Sequence, residues 1–418
     1  MSIEQQITII SAIYPPEPQV SARMAFDLAN YLAAQGHCVT VVCPQPSRPL
    51  SAEYSQFKCA DKPVVTNENG IKLVRLPSFT APESRMIPRM RESFSFGREV
   101  TKYLAAEQIR PAVLYVNSWP LFAQALIALF AKKNGIPIVL QIMDIYPEAL
   151  IRKLPTFLRS VIYMPLQRLD AWIARSAAQV VVIAESMRRT YTDNRKLSID
   201  SVVIIPTWQD ETVFENVPPR SECCARYGIP SLFTFLYLGN IGPVAGVDLL
   251  ISAFARADIS DAQLVVVGDG TAKSDCVEQV KRLNLSRVHF ISDPDIGNVP
   301  VLQGMANVCV LPMKSGAGMS SIPSKLPSYL FSGKPIIATV DLESDTARFV
   351  RQAECGWVGV AGDSFWLADK MTEVARLPME QLDAIGRQGK EFGLAHFSKS
   401  KGVVRLADTI LKATGVNI

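Results

Sequence analysis

One short stretch in the second half of the chain concentrates side chains that bind anions. Residues 318–341 read GMSSIPSKLPSYLFSGKPIIATVD, and the first half of this stretch holds four serines, two prolines and Lys325. A helix that begins near Ser324 would place its first amides, which lack internal partners and carry partial positive charge, beside the Lys325 ammonium. Pro327 fits the first turn because it has no N–H to leave unpaired. The stretch therefore predicts a site for a doubly charged anion such as a diphosphate.

A serine-capped helix with a solvated lysine is the structural alternative for this stretch. In the anion-binding interpretation, the serine hydroxyls add donors around the helix start. The run from Ser315 to Gly318 is then a loop that can close on the ligand. The residues that we assign to the anion in this stretch are Ser321, Ser324, Lys325, Leu326 and Ser328.

Two glycine-rich turns follow predicted strands in the same half of the chain. In LYLGNIGPVAGVDLL, Gly239, Asn240 and Gly242 come directly after a strand, and Gly246 opens a helix. Glycine lets the backbone approach a ligand closely, and the amides of such a turn can face an anion. A tight turn without a ligand is the alternative. The second turn, VVVGDG at 265–270, has a composition common in α/β proteins, so we interpret it as structural.

Strand-like and helix-like segments alternate along the whole chain and must position these turns. Seven strand candidates in the first half, from ITIISAIY to SVVIIP, are followed by a polar connector that starts at residue 207. Five more run from FTFLYLGN to KPIIATV, and residues 397–415 form one amphipathic helix. Strand, helix and strand joined by short turns predict parallel, doubly wound sheets with right-handed crossovers.

Chain length divides this pattern between two α/β domains. The 418 residues are too many for one ordinary core, and two domains of roughly 200 residues are expected. We place the first Rossmann-like domain at 1–206, the second at 207–396, and a helix that packs back toward the first domain at 397–418. Two such domains imply a cleft between them, and ligands bind outside the carboxyl ends of the strands.

Composition argues against several classes of protein. The chain has 43 basic and 39 acidic residues, so its charge does not indicate a nucleic-acid-binding protein. No stretch approaches the roughly 18 uninterrupted apolar residues that span a bilayer, and no basic region precedes the first apolar run, as it would in a signal peptide. Eight cysteines without metal-binding spacing indicate free thiols of a cytoplasmic protein. Three dispersed histidines do not indicate a metal site.

Two segments of the first half combine apolar and basic residues. Residues 151–177 carry five basic residues against one acidic residue, and residues 84–102 carry five against two. Such segments can lie on an anionic membrane surface, with aromatic side chains inward and arginines at the headgroups. We therefore predict peripheral attachment to the inner face of the bacterial membrane. Ordinary packed helices with basic outer residues are the alternative.

The joint order of several segments resembles the GT-B glycosyltransferases of family 4. The segments are YPPEPQVSARMAFDLANYLAAQG in the first half, and LGNIG, LVVVGDG and IPSKLPSYLFSGKPIIA in the second. QIMDIYPEAL is similar to the Asp-x-Trp-Pro-Glu segment of a bacterial subgroup of O-antigen and colanic-acid transferases, among them N-acetylfucosamine transferases. The connector IIPTWQDETVF resembles the interdomain segment of the family. The resemblance covers nearly the whole chain.

The resemblance implies a reaction and a set of roles. Family 4 enzymes generally retain the anomeric configuration, need no bound metal, and use a nucleotide diphosphate-sugar, for which we expect UDP. The implied acceptor is polyprenyl-diphosphate-linked or an oligosaccharide, in the synthesis of a surface polysaccharide such as O-antigen or capsule. Lys325 would stabilise the leaving diphosphate, and Asp144 would orient or deprotonate the acceptor hydroxyl. The implied donor residues are Gly239, Asn240, Gly242, Phe290, Lys314, Ser321, Ser324, Lys325, Leu326 and Ser328, and the acceptor residues are Arg23, Asp144 and Glu148.

Several positions depart from the family or have a structural alternative. Most members carry two glutamates where this chain has Ser320 and Ser328, and a phosphate-binding lysine where it has Ala245. A serine can hydrogen-bond a sugar hydroxyl but lacks the charge-assisted strength of a carboxylate. For Asp144 the alternative is a helix cap, and for Arg23 it is a solvated arginine in a first helical turn.

Two other functions remain open for this sequence. The serines at 320 and 328 motivate a degenerate, non-catalytic subunit that binds a sugar nucleotide without transfer. A GT-B sugar-nucleotide epimerase is the second alternative, although no cluster of acidic and histidine residues suits epimerisation. UDP release that depends on an acceptor would distinguish a transferase, because an epimerase needs no acceptor. A dehydrogenase is poorly supported, since no Gly-x-Gly-x-x-Gly follows the first strand.

Overall fold

A computed structural model describes eight stretches of the chain. They are residues 5–48, 52–57, 62–81, 86–117, 121–151, 155–293, 295–316 and 322–415. Contacts divide the chain into two units, of which the first comprises Met1–Thr207 and Gly402–Ile418 and the second Trp208–Lys401. The predicted boundaries after residues 206 and 396 lie close to this division.

An eight-stranded sheet forms the centre of the first unit. Its strands are β1 (Gln6–Ser11), β2 (Cys38–Pro44), β3 (Val64–Glu68), β4 (Ile71–Leu76), β5 (Val113–Asn117), β6 (Ile138–Ile142), β7 (Gln179–Val182) and β8 (Val202–Ile204). They lie in the order β3-β4-β2-β1-β5-β6-β7-β8, and every neighbouring pair except β3 and β4 is parallel. The central strands are buried from end to end, which explains why they read as continuous apolar runs.

Amphipathic helices connect these strands. Helix α1, for example, buries Ala22, Ala25, Leu28 and Leu32, which recur every three or four residues and so share one face. The helices between the strands are α1 (Val20–Ala34), α2 (Met86–Ala106), α3 (Phe122–Asn134), α4 (Glu148–Ile151), α5 (Thr156–Ser176) and α6 (Glu185–Arg189).

The antiparallel strand β3 was not predicted from the sequence. All five of its residues are exposed, so it lacks the apolar run that marks the other strands. It joins β4 through Asn69 and Gly70, which both have positive φ angles of 53° and 80°. An Asn-Gly pair in this conformation is typical of a two-residue hairpin, and this dipeptide was the available signal.

The second unit contains a six-stranded, fully parallel sheet. Its strands are β9 (Phe233–Leu238), β10 (Ala262–Val267), β11 (Val288–Ile291), β12 (Val308–Pro312), β13 (Ile336–Val340) and β14 (Gly356–Val360), in the order β11-β10-β9-β12-β13-β14. The helices are α7 (Arg220–Arg226), α8 (Val247–Arg256), α9 (Lys273–Arg282), α10 (Val299–Gly304), α11 (Lys325–Phe331), α12 (Asp345–Gln352), α13 (Ser364–Ala375) and α14 (Met379–His396). The sequence did not predict β14, because two glycines interrupt its short apolar run, GWVGV.

The last helix, α15 (Lys399–Ala413), begins in the second unit and continues in the first. It buries Val403, Leu406 and Ile410 on one face. The guanidinium of Arg405 donates a 2.8 Å hydrogen bond to the carbonyl of Ile204 at the end of β8.

The predicted fold class, two doubly wound α/β domains, is confirmed by the two sheets and their connections. Within the described residues, none of the helices combines the length and the apolar composition that crossing a membrane requires.

Candidate functional site

Two glycine turns of the second unit pack backbone against backbone. In the turn after β9, the amide of Gly239 donates a 2.9 Å hydrogen bond to the carbonyl of Val267. The amide of Ile241 donates one of 2.8 Å to the carbonyl of Asp269. A Cβ atom at Gly268 would lie 2.1 Å from the carbonyl oxygen of Gly239, and φ at Gly268 is +136°. Only glycine permits both this approach and this conformation. The VVVGDG turn thus fixes the position of the turn after β9 through backbone hydrogen bonds and close packing.

Lys325 lies directly beside that turn. Helix α11 begins at Lys325 after Ser324, where the sequence predicted its start. The Lys325 ammonium donates a 2.8 Å hydrogen bond to the hydroxyl of Tyr237 and lies 4.1 Å from the centroid of its ring. It would lie 3.1 Å from a Cβ atom at Gly239. The hydroxyl of Tyr237 in turn donates to the carbonyl of Asn240, at 2.6 Å. The structure therefore brings Lys325, Gly239 and Asn240 together.

Among the residues that the structure describes, no acid balances the charge of Lys325. Burial lowers the pKa of the Lys325 ammonium from 10.5 to about 8. Among the described residues, no carboxylate forms an ion pair with it. An ammonium that is withdrawn from water without a counter-charge is costly, and such groups cluster at functional sites. This arrangement is suited to binding an anion.

The remaining residues of the predicted helix start have mixed roles. Ser324 is exposed and its side chain makes no capping hydrogen bond, but its carbonyl accepts a 2.6 Å hydrogen bond from the side chain of Gln209. The amide of Leu326 donates to the carbonyl of Pro323, at 3.0 Å, so it is already engaged. Ser321 lies outside the described residues, as do residues 317 and 318 of the predicted loop at 315–318.

Ser328 was predicted to contact the donor, and the structure does not support this role. The residue is buried, and its hydroxyl accepts from the side-chain amide of Gln303 and donates to the carbonyl of Lys325, both at 2.9 Å. A serine within a helix often donates its hydroxyl hydrogen to a backbone carbonyl of the preceding turn. Here the hydroxyl of Ser328 does so and lies in the interior of the domain. Ser328 therefore stabilises α11 from inside the domain.

Two other predicted donor residues are also engaged elsewhere. Lys314 forms a 2.9 Å ion pair with Asp248 on α8, so it is not free for a diphosphate in this structure. The side chain of Phe290 packs against the core of the sheet, while its backbone pairs with Val266. Gly242 lines a separate cavity of about 230 Å³ together with Asp248.

The first unit carries a cavity of about 350 Å³ at the carboxyl ends of its central strands. Strands β1, β5 and β6 end at this cavity, which is where ligands bind in doubly wound sheets. Its walls include Ser21, Asn117, Gln141, Asp144, Asp170 and Tyr191. Asp144 is exposed there, as its predicted role requires.

Neither of the other predicted acceptor residues lines this cavity in the described part of the chain. Arg23 is exposed on the first turn of α1. Glu148 accepts a 2.7 Å hydrogen bond from the guanidinium of Arg195 and one of 3.0 Å from the hydroxyl of Tyr163. Burial tends to raise the pKa of Glu148, but these donors outweigh burial and lower the pKa. Glu148 is thus part of a structural ion pair.

Arg195 is the centre of a buried polar network below the cavity. Its guanidinium is fully buried and bonds three groups: the carboxylate of Asp170 at 3.0 Å, the carboxylate of Glu148, and the carbonyl of Tyr146 at 2.8 Å. The hydroxyl of Tyr191 also donates to Asp170, at 3.2 Å. Burial raises the pKa of Asp170 to about 6, against the opposing effect of Arg195. The network holds the chain that follows β6, and with it Asp144.

Both halves of the chain match known protein families. Residues 21–212 match the family described as Glycosyltransferase Family 4, and residues 227–392 match Glycosyl transferases group 1. The chain is a glycosyltransferase of the GT-B type. Apart from Ala12, Ile13 and Val20, the residues that line the cavity of the first unit lie within the first match, and Lys325 with its glycine turns lies within the second.

This glycosyltransferase has relatives among bacterial proteins. It is 24% identical over 321 residues to the probable glycosyltransferase WbjE of Pseudomonas aeruginosa, covering 73% of this chain and 75% of WbjE. It is 22% identical over 361 residues to the putative colanic acid biosynthesis glycosyl transferase WcaI of Escherichia coli K12, covering 82% and 85%. The structure of Anabaena HepE in complex with UDP and glucose shares the fold, with a TM-score of 0.67, 16% identity, and coverage of 98% and 100%. The narrower N-acetylfucosamine subgroup stays a prediction.

Sequence reasoning missed several polar residues of the glycosyltransferase. Asn117 ends β5 within VLYVN, and Gln141 lies within the buried strand IVLQI. A polar side chain near the end of an apolar strand was the available signal for both. Arg195 and Asp170 carried no such signal. In the described part of the chain, no group of three or more His, Cys, Asp or Glu side chains is placed to hold a metal ion, and metal independence stays a prediction.

Proposed function

We propose that this glycosyltransferase moves a sugar, with retention of anomeric configuration, from a UDP-sugar to a lipid-linked or oligosaccharide acceptor. The product belongs to a bacterial surface polysaccharide. The observation that carries the proposal is the uncompensated ammonium of Lys325 beside the Gly239–Asn240 turn, at the carboxyl end of β9. A diphosphate supplies the negative charge that this ammonium lacks.

The donor in this proposal lies against the second unit. Lys325 contacts the phosphate nearest the sugar, and the turn at 239–242 allows the backbone to approach the diphosphate. UDP is chosen as the nucleotide because the neighbouring fold of Anabaena HepE was solved with UDP and with UDP-glucose. The pairing of Lys314 with Asp248 leaves Lys325 as the principal cation for the diphosphate.

The chemical step needs stabilisation of a leaving diphosphate and an aimed hydroxyl. The acceptor oxygen forms the new bond to the anomeric carbon, while the bond between that carbon and the diphosphate oxygen breaks. The electron pair leaves with the diphosphate, whose charge Lys325 stabilises. The carboxylate of Asp144, on the wall of the first unit's cavity, accepts the hydroxyl proton.

Attachment to the inner face of the cytoplasmic membrane completes the proposal. Helix α2 exposes Ile87 and Phe94, with 74% and 53% of their surface accessible, and α5 exposes Val161, at 71%. Arg91 and Arg159 are exposed on the same two helices. Apolar side chains among arginines fit an anionic lipid surface and a lipid-linked acceptor. Arg152 and Lys153 of the predicted surface lie outside the described residues.

The decisive experiment measures UDP release from a panel of UDP-sugars, with and without lipid extract from a polysaccharide-producing bacterium. A transferase releases UDP only when both donor and acceptor are present. Donor binding without release would favour the non-catalytic subunit. Interconversion of the donor sugar without acceptor would favour an epimerase.

A further inference from the structure

Asn117 presents an unsatisfied hydrogen-bond donor at the wall of the first unit's cavity. Only 7% of the residue is exposed, and its side-chain amide nitrogen has no hydrogen-bond partner among the described residues. The backbone at this position is used, since its carbonyl accepts a 2.9 Å hydrogen bond from the amide of Ala12. A buried donor that is left unpaired destabilises the ligand-free protein. A ligand in the cavity that offers an oxygen would remove this destabilisation.

Gln141 lies beside Asn117 and adds a second amide to the same wall. The register that pairs Val116 of β5 with Leu140 of β6 brings the next residues of the two strands side by side. The hydroxyl of Tyr115 donates to the side-chain oxygen of Gln141, at 3.3 Å. This contact orients the Gln141 amide, so Asn117 and Gln141 place two neutral amide side chains side by side in the cavity wall.

The charged groups of the cavity are acidic. Asp144 and Asp170 line it, and among its described lining residues there is no lysine or arginine. The guanidinium of Arg195 bonds Asp170, Glu148 and the carbonyl of Tyr146 through Nε and Nη2, and its Nη1 is buried without a partner among the described residues, but Arg195 does not line the cavity. A phosphate would therefore meet carboxylates at the wall without a facing cation, which is unfavourable. A neutral, hydroxylated group would find both donors and acceptors.

We propose that this cavity binds a neutral sugar ring of the acceptor, with the amide of Asn117 donating to a ring hydroxyl and Asp144 accepting from the hydroxyl that reacts. The inference deepens the proposed function and rests on it, because it names the chemical class of the acceptor group. The cavity has a volume of about 350 Å³, which is at the lower end of the range for small-molecule pockets, about 300–1,000 Å³.

This assignment places the enzyme in a reaction sequence. An acceptor whose neutral sugar fills the cavity already carries a sugar before this enzyme acts. The reaction that supplies the substrate must therefore be an earlier sugar transfer to the carrier. Transfer to a bare lipid phosphate is excluded by the proposal, because the phosphate would lie against Asp144.

Saturation-transfer NMR on the full-length protein tests the proposal. The probes are the methyl glycosides of glucose, galactose, N-acetylglucosamine and fucose, with glucose 1-phosphate and undecaprenyl phosphate as charged probes. We expect signals from at least one methyl glycoside and none from the charged probes in this cavity. Asn117→Asp, which keeps the shape but removes the donor, should weaken the binding glycoside about five- to tenfold. Asn117→Leu should do the same.

Asn134→Leu is the matched control, because Asn134 is an exposed residue of the same unit whose side chain bonds only locally, to Phe130. Its glycoside affinity should equal that of the unchanged protein. Absence of any glycoside signal, equal binding in the Asn117 variants, or binding of a charged probe that the Asn117 variants abolish would overturn the proposal. UDP titration of the same samples is independent: loss of UDP binding in all of them would refute the proposed donor function while leaving the sugar site intact.

Discussion

The ammonium of Lys325 donates to the hydroxyl of Tyr237 at 2.8 Å, and that hydroxyl donates onward to the carbonyl of Asn240 at 2.6 Å. This relay fixes a half-buried cation beside a glycine turn at the end of a parallel strand. Burial raises the pKa of Tyr237, so the phenol stays protonated and keeps its donor role. An anion at the turn would approach a prepositioned charge, and the predictions for the second unit follow from this.

Replacement of Lys325 by alanine should lower the affinity for UDP about ten- to a hundredfold, because a charge-assisted contact is worth about 1.5–3 kcal/mol. The protein should stay folded. The measurement is isothermal titration calorimetry with UDP, accompanied by thermal unfolding. Lys281→Ala, at an exposed position of α9, is the control and should leave UDP binding unchanged. Equal affinity in the two variants would contradict the role of Lys325.

UDP binding should weaken as the pH rises through the pKa of Lys325, which is about 8. The ammonium is lost above this pH in the free protein, so affinity should fall about tenfold between pH 7 and pH 9. In the Lys325→Ala variant this pH dependence should be absent. The comparison of the two proteins thus distinguishes deprotonation of Lys325 from ionisation of the nucleotide itself. Parallel pH profiles in the two proteins would contradict the assignment.

The contribution of Lys325 to folding stability should change with pH in the opposite direction to UDP affinity, becoming more favourable as the pH rises. The folded-state pKa of Lys325 lies below its unfolded value of 10.5, so burying the charge costs stability at neutral pH. The unfolded chain binds more protons between pH 8 and pH 10.5, and this cost is therefore relieved as the pH rises through that window. Lys325→Met should be more stable than the unchanged protein at pH 7, and the difference should shrink by pH 10. Urea unfolding at both pH values measures it.

Replacement of Gly268 by alanine should displace the turn after β9 and reduce UDP affinity more than tenfold. The added Cβ would meet the carbonyl oxygen of Gly239 at 2.1 Å, which forces the backbone of the site to move. Gly228→Ala is the control, since Gly228 also has a positive φ, of +64°, but no atom of the described residues lies within 4 Å of its added Cβ. That variant should lose about 1–2 kcal/mol of stability and keep its UDP affinity. Calorimetry and urea unfolding distinguish the two effects.

Replacement of Arg195 by methionine should destabilise the protein by about 3–5 kcal/mol, because it leaves the buried carboxylate of Asp170 without its cation. Combining it with Asp170→Asn should cost less than the sum of the two single changes, since the pair is coupled. Arg189→Met, whose side chain is 72% exposed, should change stability by less than about 0.5 kcal/mol. Urea unfolding gives all four values, and additive effects would rule out the coupling.

Neutralising Arg152, Lys153 and Arg159 should move the protein from the membrane to the soluble fraction. Each basic residue near an anionic surface contributes about 1 kcal/mol, so three changes should weaken binding about a hundredfold. Sedimentation with phosphatidylglycerol vesicles measures this, and 1 M salt should have the same effect on the unchanged protein. Neutralising Lys281, Arg282 and Lys401 instead should have no effect. If the two triple variants sediment alike, attachment through the 151–177 segment is wrong.

The elements that were predicted correctly share one physical property. Strands of a parallel sheet are buried on both faces, so segments such as VLYV and VCVLP stand out by apolar composition alone. Strands β3 and β14 were missed because one is an exposed edge strand and the other is rich in glycine. Helix α11 was placed correctly because proline and serine mark a helix start locally.

The roles of individual polar residues were predicted less well. Ser328 turned inward to Gln303, Lys314 paired with Asp248, and Glu148 paired with Arg195. The partners of these three lie 25, 66 and 47 residues away in the chain, where spacing gives no information. Asn117 was overlooked for the converse reason, since its lack of a partner is visible only in three dimensions.

The sequence by itself determined the order of the strands and helices other than β3 and β14, the helix start at Lys325 and the glycines of the two turns, because these depend on local backbone chemistry and on apolar periodicity. Only the tertiary structure decided which charges are paired and which are left for a ligand. Lys325 and Asp144 are functional candidates because neither forms an ion pair among the described residues. Glu148 and Lys314 each form one, with Arg195 and Asp248. That distinction depends on which distant side chain occupies the space beside each charge.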